Sequence, residues 1–339
     1  MRRLFPILAL AALASVPLWL YDAYLLHILI TTGIFTIAAM SLNLLLGYTG
    51  QLSLGHVAFF GIGAYVSALT ALGFDVDIGP WTIVHEPWPV LAGFVLAVAI
   101  AGLSGYLIGK LSFKVRGAYF VIVTISFAEV VRLVALNWVD LTQGPLALNN
   151  IPPFTLQFPG LGEYVLWGKV ANYYLVLIVA VVAYAIIKRL VGSRIGRAMV
   201  ALKENESLAV SVGINVTRYL VLAAVVSAAL AGAAGSLYAH YVKIVDPEIF
   251  LFIYTVTMVI MVVTGGKGTL AGPVVGGLIF GILPVVLRSY LGPEFQWIFY
   301  GLFMIFIVFV LPQGIVPAFE RRFARPGPEP PAEAVGARQ

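Results

Sequence analysis

The 339-residue chain contains no cysteine, which excludes disulfides, thiol nucleophiles and thiolate metal sites. Its four histidines are scattered without the spacing of metal ligands, so no metal site is expected. No G-x-x-x-x-G-K-S/T loop occurs, so the chain has no phosphate cradle of its own and no catalytic residue is assigned. Charge is scarce as well: Asp, Glu, Lys and Arg make up 10% of residues, against about 25% in a soluble globular domain. The net charge of +5 does not point to nucleic acid, because the basic residues stand at the ends of apolar runs and form no patch interleaved with aromatics.

What fills the chain is hydrocarbon, at 61% hydrophobic residues. With roughly 17–25 apolar residues needed per crossing, the pattern reads as about ten helices, near 4–21, 24–46, 52–72, 88–110, 117–137, 170–188, 218–240, 248–264, 269–289 and 295–312. The expected fold class is therefore all-α, a polytopic transmembrane bundle with membrane lipid as its solvent. The third segment is unusual: glycines at 47, 50, 55, 61 and 63 surround Gln51, Ser53 and His56, the mark of a broken or re-entrant element. Arg2 and Arg3 before Leu4–Leu20 imitate a signal peptide, with Ala12–Ala14 resembling a cleavage site; the reading is a retained anchor helix.

Lysine and arginine set the orientation. With the N-terminus in the cytoplasm, only Lys169, Lys243 and Arg288 of the 20 basic residues fall outside, and Arg132 lies within a helix. Both termini are then cytoplasmic. One transmembrane domain spans 1–319, with a cytoplasmic loop at 190–217, and the Pro-, Ala- and Arg-rich segment 320–339 is expected to be a disordered tail. The long outside connection 138–169 carries turn residues at its IPPF and Gly160–Gly162 stretches, with Trp138 and Trp167 at its edges. Together with Trp88 and Trp297 these form an interfacial belt.

Polar residues in so apolar a chain are the functional candidates. The segment Gly196–Gly213 is the one long polar interruption, and reads as two short helices. Arg194–Lys203 aligns Ile195, Met199 and Leu202 on one face; Asn205 caps a second helix, Glu206–Val212, which Gly213 ends. Such an element either lies on lipid headgroups or docks a cytoplasmic partner, and the carboxylates of Glu204 and Glu206 favour docking. Glu129 and Arg132 share a helix face at i,i+3 inside an apolar span, either as an ion pair locking that helix into the bundle or as lining of a pathway. Asn43, Gln51, Ser53 and His56 are packing glue singly and pathway candidates as a group. A proton relay through His56 would need an acidic neighbour, and none stands nearby in sequence. Finally, GYTGQLSLG at 47–55 echoes GGKGTLAG at 265–272, which suits duplicated halves of a transporter although glycine-rich membrane segments often look alike.

Four blocks carry a resemblance. SLNLLLGYTGQLSLGHVAFFGIGAY at 41–65, VRGAYFVIVTISFAEVVRLVALNWVDLTQGP at 115–145, GRAMVALKENESLAVSVGI at 196–214 and GGKGTLAGPVVGG at 265–277 resemble, in the same order, the branched-chain amino acid permease family of ABC importers, in its LivM-like branch. The resemblance covers about residues 30–315. It implies that 196–213 is the coupling loop, with Gly196, Arg197, Leu202, Glu204, Asn205, Glu206 and Gly213 contacting the ATPases. It adds Thr142 and Gly144 of the TQGP stretch to the pathway candidates. The partners implied are a LivH-like second permease forming a heterodimer, two cytoplasmic ATPase subunits that bind ATP and magnesium, and an extracytoplasmic substrate-binding protein. The function implied is ATP-driven import of branched-chain amino acids, or of a small polar analogue such as urea, by alternating access in a prokaryotic inner membrane. An ion-coupled secondary transporter is the rival reading, and a membrane scaffold a third. The chain departs from the family pattern after TQGP, where Leu146 and Ala147 stand in place of Asn-Gly.

Overall fold

The computed structural model describes residues 4–20, 22–78, 81–113, 118–158, 162–288 and 293–323. Helices α1 (Leu4–Trp19), α2 (Ala23–Leu46) and α3 (Val57–Leu72) lead into strands β1 (Phe74–Ile78) and β2 (Trp81–His85). Then come α4 (Val90–Ser112), α5 (Ala118–Asn137), the short α6 (Val139–Thr142), β3 (Thr155–Phe158) and β4 (Gly162–Val165). The second half holds α7 (Lys169–Val191), α8 (Arg194–Glu204), α9 (Glu206–Ser211), α10 (Val216–Val242), α11 (Phe252–Gly265), α12 (Gly272–Arg288), α13 (Pro293–Val310) and α14 (Ile315–Phe323). Among the described residues, α2, α4, α7, α10 and Tyr119–Asn137 of α5 are long and apolar enough to cross a membrane. The shorter apolar helices include α3 and α11. This is a multi-pass helical membrane protein.

Helix α10 is the centre. It is 72% buried over its most apolar stretch and α2 67%, against 28% for α4 and α7 and 22% for α5, so α10 and α2 are wrapped by the protein while α4, α5 and α7 turn much of their surface outward. At 1.5 Å per residue its 27 residues span about 40 Å. The run Ala228–Ser236 holds only small residues apart from Leu230. Lipid is as apolar as leucine, so helices in it associate through close backbone packing rather than through the hydrophobic effect. Accordingly, a Cβ on Gly63 of α3 would fall on the Gly232 carbonyl, and one on Gly235 would fall on the carbonyl of Phe60. Gly235→Val is therefore expected to cost at least the roughly 1–3 kcal/mol of an overpacked core, since its neighbour is backbone and cannot rotate away. Size-exclusion chromatography in detergent after graded heating should show a clearly lower melting temperature than wild type.

Three expectations need correction. The chain is not purely helical: β1–β2 and β3–β4 form two antiparallel hairpins, in register Phe74↔His85 to Ile78↔Trp81 and Thr155↔Val165 to Phe158↔Gly162. The first hairpin follows from the alternation in Phe-Asp-Val-Asp-Ile, which buries Val76 and exposes Asp75. The third helix starts at Val57 rather than 52, because 48–56 is irregular backbone; Gly55 there lies against the Thr124 carbonyl too closely for any side chain. The C-terminal segment is helical as far as Phe323, and the remainder of the expected tail lies outside the described residues, as do Arg2, Arg3 and Gly160.

The bundle has two distinct ends. At one, the connection between α5 and α7 lies over the helices: Leu148 pairs with Val245, and the Lys243 ammonium lies 4.7 Å from the Trp167 ring centroid. At the other end the glycine-rich stretches after α2 and α11 meet α8.

Candidate functional site

The segment 190–217 is built by successive helix caps. Ser193 Oγ accepts from the backbone N–H of Ile195 at 3.1 Å and of Gly196 at 3.4 Å, starting α8. Asn205 is extended and both ends α8 and starts α9, its Oδ1 accepting from Leu208 N at 3.0 Å. Gly213, at φ +87°, closes α9 as Ile214 N donates to the Ala209 carbonyl at 3.0 Å. Asn215 then caps α10 through Arg218 N at 3.0 Å. Each cap of this kind stabilises by about 0.5–2 kcal/mol, so a polar segment keeps one defined shape outside the bundle core.

Its two faces have different fates. Met199 is completely buried, Leu202 is buried, and Ile195 is half-buried, which seats α8 on the bundle. Gly196 permits the seat, since a Cβ there would fall on the Val191 carbonyl of α7. Arg197, Val200, Glu204 and Asn205 face outward, Glu206 is half-buried, and Leu208 and Val212 are 65% and 72% exposed. Leu208 and Val212, four residues apart, share one face. Both side chains lie on solvent-facing surface outside the bundle core.

Beside α8 the two glycine-rich echoes touch each other. Asn43, buried in the last turn of α2, donates through Nδ2 to the Thr269 carbonyl at 2.8 Å and accepts through Oδ1 from Gly268 N at 2.9 Å. Gly47 lies flush against both Asn43 Oδ1 and Gly268 N. Asn43 is thus a clasp between the α2–α3 and α11–α12 connections.

The other polar candidates are placed as follows. His56 is entirely buried, its Nε2 2.8 Å from Ser41 Oγ, while the Ser227 hydroxyl donates to the Ser41 carbonyl. Ser53 is buried and Gln51 half-buried in the same irregular stretch. Thr142 Oγ1 donates to the carbonyls of Ala135 at 2.6 Å and Trp138 at 2.7 Å, and Gly144, at φ +51°, turns the chain back against Leu136. These two shape the end of α5. Leu146, where the sequence departs from the family pattern, is 77% exposed on the same loop.

Glu129 and Arg132 do pair, with Nη2 to Oε1 at 2.6 Å and Nε 3.0 Å from Oε2. Both partners belong to α5, so their hydrogen bonds are made within that helix. Glu129 is 52% and Arg132 24% exposed, among the outward Val130, Leu133 and Val134. A charge pair on an outward face of a membrane span needs protein or water against it, because charge in hydrocarbon costs at least about 2.5–3.5 kcal/mol.

Sequence reading missed one network. Ser236 Oγ donates to Ser67 Oγ at 2.6 Å, Ser67 Oγ is 2.8 Å from His240 Nε2, and His240 Nδ1 is 2.7 Å from the Pro152 carbonyl. A carbonyl only accepts, so Nδ1 carries the proton and Nε2 accepts from Ser67. The chain fastens 147–154 to α3 and α10; the four-residue spacing of Ser236 and His240 on α10 was the available signal. Among the described residues no group of histidine and carboxylate side chains is arranged to hold a metal ion.

Fold and site together define a multi-pass helical membrane protein that presents a capped, partly exposed two-helix element, α8–α9, at one end of its bundle. The family model described as "Branched-chain amino acid transport system / permease component" matches residues 24–310, and the chain belongs to that family. It is 33% identical over 304 residues to the high-affinity branched-chain amino acid transport system permease protein LivM of Salmonella typhimurium, covering 84% of this chain and 68% of that protein. It is 29% identical over 299 residues to the corresponding LivH of Escherichia coli, covering 83% and 91%. A probable LivM of Methanocaldococcus jannaschii is 26% identical over 324 residues, covering 86% and 92%. These matches bear out the LivM-like resemblance. No solved structure matches the chain.

Proposed function

We propose that this chain is one of two permease subunits of an ATP-driven importer for branched-chain amino acids in a prokaryotic inner membrane. Its partners are a LivH-like permease, two cytoplasmic ATPases and an extracytoplasmic binding protein; both termini lie in the cytoplasm. The observation that carries this reading is the capped α8–α9 element of a permease-family chain, seated by Met199 and displaying Leu208 and Val212. Because the chain has no phosphate-binding loop, ATP and magnesium belong to the partners.

ATPase closure moves α8–α9, and α10, which begins directly after that element and reaches the opposite end, carries the motion across the bundle. Gly196, Arg197, Leu202, Glu204, Asn205, Glu206 and Gly213 form or support the contact. The outward Glu129–Arg132 pair faces the second permease across the pathway, where a zwitterionic amino acid passes. Asn43, Gln51, Ser53, His56, Thr142 and Gly144 shape the helices behind it.

The test is uptake of labelled leucine into proteoliposomes containing both permeases, both ATPases and the binding protein, with labelled urea in parallel. Leucine uptake should require ATP and stop when the ATPases are omitted. Uptake that persists without them on an ion gradient would overturn the reading in favour of a secondary transporter.

A further inference from the structure

We propose that Lys203 is a positioning residue that transmits the movement of α8 to both glycine-rich elbows at once, an inference that rests on α8–α9 being the ATPase contact. Lys203 stands in the last turn of α8, and its stem lies over the first elbow: the Cβ position of Gly50 is 3.3 Å from Lys203 Cγ and 3.8 Å from its Cβ. Its ammonium reaches the second elbow, with Nζ 3.4 Å from the Cβ position of Gly268, which is itself 2.8 Å from the Gly47 carbonyl. Both glycines have positive φ, +74° and +76°, so each elbow turns in a conformation that side chains rarely adopt, and an added side chain at either would meet the exposed lysine.

The charge has a reason to be there. α2 ends at Leu46 and α11 at Gly265, and Gly47 and Gly268, just beyond those two partially negative C-termini, lie together near this ammonium. Asn43 joins the two elbows through Thr269 and Gly268. Hence one side chain from α8 lies over a clasped unit to which α2, α3, α11 and α12 are all attached. A displacement of α8 that stayed within α8 would draw Lys203 away from both elbows; a displacement passed through Lys203 swings both elbows together. The resemblance between 47–55 and 265–272 then has a mechanical sense, as two similar hinges gripped by one lever.

The experiment uses the complete complex, measuring ATPase co-purification, ATP hydrolysis and leucine uptake for Lys203→Met, which keeps the stem and removes the charge, and Lys203→Arg, which restores it. Coupling between sites usually corresponds to about 5–150-fold. Lys203→Met should therefore assemble and hydrolyse ATP while leucine imported per ATP falls about tenfold, and Lys203→Arg should recover most of it. An unchanged transport ratio in Lys203→Met overturns the proposal. If α8–α9 is not the ATPase contact at all, the failure looks different: Leu208→Glu would then leave co-purification intact in the wild-type background. A second measurement covers loss of assembly in Lys203→Met. In the cysteine-free chain, Lys203→Cys with Lys267→Cys should transport poorly when reduced and recover when bridged by a short bis-maleimide, because lever and elbow move as one. Inhibition by the bridge, or no recovery, overturns the proposal.

Discussion

Replacing Leu208 and Val212 together by glutamate should abolish capture of the ATPase subunits and reduce ATP-driven leucine uptake by about 1,000-fold or more, while the permease itself folds and inserts normally. The two side chains are 65% and 72% exposed, so the free chain loses no packing when they change. Surface substitutions of this kind usually alter stability by about 0.5 kcal/mol or less. The proposed function places the same positions against the ATPase partner in the assembled complex. Truncating an interface anchor there costs about 2 kcal/mol or more, and forcing in an unpaired carboxylate adds its desolvation. Two such changes exceed 4 kcal/mol, and each 1.4 kcal/mol is about tenfold in affinity. Met199→Glu makes the contrast: it buries charge beneath α8 and should lower the melting temperature of the chain before any partner is added. Co-purification through an affinity tag on the ATPase separates the two outcomes.

The second large effect is expected at Glu129. Glu129→Leu removes one partner of an ion pair that lies on an outward face of α5 and leaves the Arg132 guanidinium alone at membrane depth. On insertion scales that is about 2.5–3.5 kcal/mol, or roughly 100-fold in assembly with the second permease subunit. The exchanged pair Glu129→Arg/Arg132→Glu restores neutrality on the same helix turn and should return assembly to near wild type. Uptake then distinguishes two roles. If the pair serves only the subunit interface, the exchanged variant transports; if the carboxylate and guanidinium orient a zwitterionic substrate, assembly returns and transport does not. Wild-type assembly and uptake in Glu129→Leu would contradict both roles.

Local grammar made much of this legible in advance. The apolar runs became helices close to their expected bounds, and Asn205 and Gly213 announced the division of 194–213 because caps act over three or four residues. What stayed hidden depends on distance in the chain or on which way a helix turns. The spacing of Glu129 and Arg132 gives their pairing but not whether α5 faces the bundle or away from it. Asn43 signals that some partner is needed; its partner lies 225 residues on, at Gly268. Lys203 registered only as one more cytoplasmic positive charge, because nothing local says that its ammonium lies near Gly268. The β1–β2 hairpin was overlooked because its alternating strands are five residues each and sit between long apolar helices that dominate the pattern.

The most direct measurement exploits the absence of native cysteine. With single cysteines at Leu208, Val212 and Met199 and a short amine- and thiol-reactive cross-linker, the assembled complex should yield ATPase adducts from positions 208 and 212, changing on addition of ATP, and none from the buried position 199. A fully active complex in which neither Leu208→Cys nor Val212→Cys reaches an ATPase subunit would contradict the claim that α8–α9 is where the motor grips this chain.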